Sequence, residues 1–219
     1  VTVSGVIDVL RTIIASSPGL RAIMDQLEVI TMTSDEQLKW EPWQEEYRHG
    51  AFYLFPPPEI ALVVNELRRR YDPRSAAICD ARVSLSEPLA GPLLDEQLEE
   101  LRAALCTIAP FHFTLSPLTQ MGSHPGVVLG LSPEEPFFAL RDVVHSTSIF
   151  AGRELSRAQR SPHMTVAEFV SQDEAQSLLA EVSPWDLGAS FLCDHLVYAV
   201  PDVTFHFEPV LTLTLGSLN

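Results

Sequence analysis

The chain has 219 residues, 46% hydrophobic and 20% charged, which suits one good-sized domain or one domain of two lobes. There are 29 acidic residues against 14 Lys plus Arg, a formal net charge of −15. Such a field repels polyanions and disfavours a non-specific grip on duplex DNA or RNA, but leaves room for a small phosphorylated ligand in a locally basic cleft.

Residues 1–46 read as a helical extension, distinct in style from residues 47–219. Val6, Ile7, Val9, Leu10, Ile13 and Ile14 share one helical face. Ser17-Pro18 starts a second helix, whose Leu20, Ile23, Met24 and Leu27 also share a face. Ser34 with Gln37 forms a capping box for a third segment, which Glu41-Pro42 ends. These faces invite cover from the main body or from a protein partner.

From Ala51 the pattern changes. Ala51–Phe55 reads as a strand, and residues 59–71 as an amphipathic helix ending in a solvated Arg68-Arg69-Arg70 cluster. Strands follow at 76–85, 111–118, 127–131 and 164–170, with helices at 94–106, 136–150 and 175–182. Residues 191–200 and 203–215 close the chain as two strands joined at Pro201-Asp202. The later half repeats the order of the earlier one, which predicts an α+β protein of two related lobes. Cys79, Cys106 and Cys193 fall in no C-x-x-C or zinc spacing and read as reduced, buried thiols of a cytoplasmic protein. No secretory signal and no apolar run of about 18 residues is present, so no membrane contact is expected.

Two segments nearly coincide. Residues 81–87 read Ala-Arg-Val-Ser-Leu-Ser-Glu and residues 162–168 read Pro-His-Met-Thr-Val-Ala-Glu. Each alternation puts a basic residue and a hydroxyl two apart on one face of a strand, with an apolar residue turned to the core between them. Arg82 with Ser84, and His163 with Thr165, can therefore aim two basic groups and two hydroxyls at one phosphate.

These residues carry a resemblance. Ser161-Pro162-His163-Met164-Thr165-Val166 is a close match to the H-x-[ST]-hydrophobic signature of the 2H phosphoesterase superfamily. That superfamily includes the bacterial 2′-5′ RNA ligases and cyclic nucleotide phosphodiesterases. Ala81-Arg82-Val83-Ser84-Leu85 resembles the other signature, with Arg82 where the family normally has His. The resemblance spans roughly residues 47–217. It implies two pseudo-symmetric lobes with antiparallel sheets around a central cleft. It also implies metal-independent, cofactor-free opening or forming of a 2′,3′-cyclic or 2′-5′ linked phosphodiester in a small nucleotide or short RNA end.

In the family's scheme one histidine is the base and another the acid, since imidazole titrates near neutrality. The hydroxyls hold phosphate oxygens. His163, Thr165 and Ser84 fit these roles. A guanidinium keeps its proton, so Arg82 can bind phosphate bidentately but cannot act as a base. It can also pair with Asp80 or Glu87. The lost proton transfer is worth a factor of roughly 10²–10⁴. A degenerate natural site, a substitution that traps ligand, and a replacement base elsewhere all fit. His112, in Phe111-His112-Phe113-Thr114, is the first candidate replacement, and Arg160 is a further substrate contact. His195 and His206 read as structural, and His145 as a surface residue. The expected function is thus a 2H phosphodiesterase impaired by Arg82. The alternatives are a catalytically degenerate nucleotide- or phosphate-binding module and an interaction domain with a vestigial cleft.

Overall fold

The computed structural model describes residues 40–122, 124–156, 159–182 and 189–216. The helical readings of residues 1–39 lie outside the described residues.

Pro42 opens a helix instead of closing one. In α1, Pro42–Glu45, it takes the first position, where its missing N–H is harmless. After β1, Ala51–Leu54, helix α2 spans Pro58–Tyr71. It buries Ile60, Val64, Leu67 and Arg68, one stripe at i, i+4, i+7 and i+8. The strand expected from residue 76 begins as helix. Asp72 accepts from the Ser75 N–H at 3.0 Å and caps α3, Pro73–Ile78. Only Val83–Ser84 remains as β2. Helix α4, Asp95–Leu105, and strands β3, Phe111–Gln120, and β4, Val127–Ser132, follow as expected.

Helix α5, Glu135–His145, stops short of the predicted end. The Ser146 and Thr147 hydroxyls cap its last turn by donating to the Val143 and Val144 carbonyls, and a 3-10 turn covers Ser148–Phe150. Then come β5, His163–Ala167, and α6, Gln172–Val182. The predicted closing pair is three strands: β6, Ser190–Cys193, β7, His195–Pro201, and β8, Phe207–Thr214. Asp194 interrupts the first run.

The strands form one curled antiparallel sheet in the order β6-β3-β4-β5-β2-β1-β7-β8. It consists of two four-stranded halves, β6-β3-β4-β5 and β2-β1-β7-β8. They join where Val83 of β2 pairs with Met164 of β5. The chain crosses between the halves at Asp194, so β6 joins β3 and β7 joins β1. This is the α+β, two-lobed arrangement that the repeat implies, with both motif strands at the seam.

Alternation sorts the strands' side chains onto two faces. Phe52, Leu54, Val83, Met164 and Val166 join the main core with Val64, Leu67, Leu101 and Leu140 of the helices. Each such side chain contributes roughly 1.5–3 kcal/mol on burial. On the other face Ala51, Tyr53, Phe205 and Phe207 form a second cluster with Trp40 and Tyr47 against it. Among the described residues no helix is long and apolar enough to cross a membrane.

Candidate active-site cleft

The pairing of Val83 with Met164 decides the site. Both are fully buried in the main core. Their strands are antiparallel, so the register sets Ser84 opposite His163 and Arg82 opposite Thr165. All four lie one step from the central pair and therefore on the opposite face. Arg82 and His163 are diagonal neighbours, roughly 7–8 Å apart at the backbone. All four line one cleft of about 500 Å³, within the usual range for ligand sites. Arg68, Arg82, Arg141 and Arg160 line it against Glu46 and Glu168. The cleft is thus locally basic in a chain of net charge −15.

Two buried arginines brace the seam in matching ways. Arg68 of α2 donates to the carbonyls of Ser75 at 2.8 Å, Cys79 at 3.0 Å and Thr165. Arg141 of α5 donates to the carbonyls of Leu85 at 2.8 Å, Arg160 at 2.6 Å and Ser84 at 3.4 Å. Each helix of one half thus grips the motif strand of the other, at the equivalent hydroxyl residue. The residue four positions on continues the pattern. Asp72 Oδ2 accepts from the Glu168 N–H at 2.6 Å, and His145 Nε2 accepts from the Glu87 N–H at 3.4 Å.

These bonds correct two expectations. Arg68 is 3% exposed, unlike its solvated neighbours Arg69 and Arg70, and His145 is buried. Burial pulls the His145 pKa down, and the nearby Arg141 charge adds to the effect. The signal was present in the spacing. Phe137, Leu140, Arg141, Val144 and His145 fall on one helical stripe, as do Ile60, Val64, Leu67 and Arg68.

Arg82 is fixed by aromatic rings. Its guanidinium carbon lies 4.1 Å from the Tyr53 ring centroid and 4.3 Å from that of Phe207. Among the described residues it makes no ion pair with Asp80 or Glu87; Asp80 instead accepts from Asn65 Nδ2 at 2.9 Å. Its Nη1 is buried with no hydrogen-bond partner among the described residues. Leaving such a donor unmet costs about 1–3 kcal/mol, which an anionic oxygen would recover.

His163 is poised differently. Its Nδ1 lies 2.8 Å from the Ser161 carbonyl oxygen. A carbonyl only accepts, so the proton sits on Nδ1 and the lone pair on Nε2. Phe205 closes the aromatic wall with φ +66°, a left-handed backbone rare for a bulky residue. Edge-on contacts at 5.2 Å to both Trp40 and Trp43 hold it there.

A sequence profile of the 2′-5′ RNA ligase superfamily matches residues 56–203. The chain belongs to this family. A Bacillus cytotoxicus protein that bears the name phosphoesterase is 28% identical over 173 residues, which cover 75% of this chain and 96% of that protein. The structure of E. coli LigT complexed with 3′-AMP superposes with a TM-score of 0.55 at 18% identity, over 78% of this chain and 99% of that one. A crystal structure described only as a phosphoesterase gives a TM-score of 0.54 at 18% identity, with the same coverage of both chains. Identities this low speak to the fold alone.

In this member of the 2′-5′ RNA ligase superfamily, the cleft gathers Arg82, Ser84, His163, Thr165 and Arg160. His112 is not among its lining residues; it is exposed on β3, opposite Leu192 of β6. His195 beside Asp194, and His206, whose Nδ1 donates to the Ala77 carbonyl at 2.8 Å, also lie outside the lining. The Cys193 thiol is pushed up to about 12 by burial and the adjacent Asp194, as suits a structural cysteine. Sequence reasoning missed Trp43, Phe207 and His124, which line the cleft from distant positions in the chain, and the buried Tyr53, whose ring packs on Arg82. Among the described residues no group of three His, Cys, Asp or Glu side chains is placed to hold a metal ion.

Proposed function

We propose that the cleft binds the phosphate of a small nucleotide or RNA end. On this reading the protein is a 2H-type phosphodiesterase acting on a 2′,3′-cyclic or 2′-5′ linked phosphodiester by metal-independent acid–base chemistry. The supporting observation is the antiparallel register about Val83 and Met164, which sets Arg82, Ser84, His163 and Thr165 on one face of the sheet, lining one cleft. The Ser84 and Thr165 hydroxyls and the unmet Arg82 Nη1 donate to phosphate oxygens. His163 Nε2 takes the proton of the attacking water. The nucleotide class is also that of the fold relative, since E. coli LigT has been crystallised with 3′-AMP, NADP+ and ATP.

A second reading, a nucleotide-binding module without turnover, draws on the fixed Arg82. A guanidinium between two rings strengthens ground-state binding and supplies no base. Two measurements separate the readings: calorimetric binding of 3′-AMP and hydrolysis of 2′,3′-cyclic nucleotides. Binding with turnover that His163→Ala reduces by roughly 10²–10⁴-fold supports the enzyme. Binding without turnover supports the module, and neither binding nor turnover refutes both.

A further inference from the structure

An aromatic rim leads away from Arg82. Phe207, which packs on the Arg82 guanidinium, lies 5.3 Å from Phe205, and Phe205 lies 5.2 Å from Trp43, centroid to centroid. Trp43 lies in turn 6.5 Å from Phe169, with the two ring planes at 39°. Trp43 and Phe169 both line the cleft, and each is 37% exposed. Two large rings left open to water side by side in a cleft form an apolar surface for a ligand.

These rings are held in place. Trp43 Nε1 donates to Glu41 Oε2 at 2.6 Å, and Arg74 Nη2 donates to Glu41 Oε1 at 3.0 Å. The Arg74 guanidinium carbon lies 4.0 Å from the Phe169 ring centroid. One carboxylate therefore fixes Trp43 directly and Phe169 through Arg74. Such fixing lowers the entropy lost when a flat ligand stacks.

The turn that carries Trp43 also carries a hydrogen-bond acceptor. Trp43, Glu46 and Tyr47 stand at i, i+3 and i+4 along α1 and the two residues after it, spacings that share a face, and all three line the cleft. Among the described residues Glu41 pairs with Arg74 and Glu45 with Arg48, whereas the Glu46 carboxylate has no hydrogen bond or ion pair. Glu168, the other carboxylate of the lining, follows β5 and has no place on that turn. A carboxylate only accepts, and its two oxygens suit a pair of adjacent N–H groups. Of the four RNA bases, guanine alone presents two donors side by side on its Watson–Crick edge, N1–H and N2–H₂. Adenine, cytosine and uracil alternate donor and acceptor there.

We infer that Trp43 is the stacking platform for the base of the bound nucleotide and that Glu46 selects guanine. This rests on the phosphate site proposed above. The phosphate lies against Arg82, Ser84, His163 and Thr165, and the ribose passes over Phe207 and Phe205. The base stacks on Trp43 with N1–H and N2–H₂ directed to Glu46. Helix α1 lies ahead of the stretch that matches the family profile, so this selection belongs to the chain and not to the family pattern.

Calorimetry with inorganic phosphate, 3′-GMP, 3′-AMP, 3′-CMP and 3′-UMP tests the assignment. The parent should bind 3′-GMP roughly 10–100-fold more tightly than the other three nucleotides. Glu46→Gln puts one acceptor and one donor in place of two acceptors. It should remove that margin and leave 3′-AMP affinity close to the parent's. Trp43→Ala should weaken all four nucleotides by roughly 10-fold or more, Trp43→Phe should restore much of the loss, and neither should change the binding of inorganic phosphate. Equal binding of the four nucleotides, or a guanine margin that survives Glu46→Gln or falls instead with Glu168→Gln, overturns selection by Glu46. Nucleotide affinities that Trp43→Ala leaves unchanged overturn the platform. If either occurs while Arg82→Met still weakens inorganic phosphate, the phosphate site stands alone. A parent that binds neither phosphate nor any nucleotide overturns both.

Discussion

Three consecutive arginines end α2, and the structure gives them unequal weight. Arg68→Met removes a guanidinium that is 3% exposed and donates to three carbonyls, one on each of Ser75, Cys79 and Thr165. Methionine keeps most of the stem and none of the donors. Bonds from a charged donor contribute about 1.5–3 kcal/mol each, which sets a ceiling for the loss. Relief from burying the charge offsets part of it, leaving a net of roughly 3–4 kcal/mol. For a chain of this size that corresponds to a fall in Tm of about 6–16 °C. Arg69→Met is the control. Arg69 is exposed and, among the described residues, pairs with Glu66 one turn away at 2.8 Å, so its loss should stay within about 0.5 kcal/mol. Thermal unfolding followed by circular dichroism measures both. If the two variants melt together, the bracing of the seam by Arg68 is refuted.

Arg82→Met should weaken 3′-AMP binding by roughly 10–100-fold, since a charged hydrogen bond of about 1.5–3 kcal/mol is lost; calorimetry reads this directly, and unchanged affinity would remove Arg82 from the phosphate site. Arg82→His should raise cyclic nucleotide turnover by roughly 10²–10⁴-fold by returning a proton-exchanging group to the strand, as measured by product chromatography. The lowered His145 pKa means that the unfolded chain binds more protons between the folded value and about 6.5. The stability it supports is present above that value and is lost as pH falls toward the folded one. His145→Gln should therefore lose less Tm than the parent between about pH 7.5 and about pH 5.5.

Much of the site was legible because the repeat carries it. Alternation alone put Arg82 with Ser84, and His163 with Thr165, on common faces. Aligning the two segments in parallel matched Arg82 with His163, whereas the antiparallel sheet pairs Arg82 with Thr165 about the Val83–Met164 centre. Sequence could not supply that turn, because strand order is a tertiary property. Asp72-Pro73 was legible as a boundary, but not as the cap that turns the following residues into α3. The run 191–200 looked continuous because Asp194 is a single polar residue among apolar ones, yet it marks the crossing between halves. Arg68 and Arg141 were legible in principle from their stripes. His124 was not, since nothing local distinguishes a loop histidine from a solvated one until β4 brings its hairpin against β5.

The central claim is that the seam between the halves is a phosphate site. A crystal structure of the protein soaked with 3′-AMP tests it most directly. The account predicts one phosphate group held by the Ser84 and Thr165 hydroxyls, with Arg82 Nη1 and His163 Nε2 both within hydrogen-bonding distance of its oxygens. A nucleotide bound elsewhere, or a phosphate that engages neither Arg82 nor His163, would contradict it.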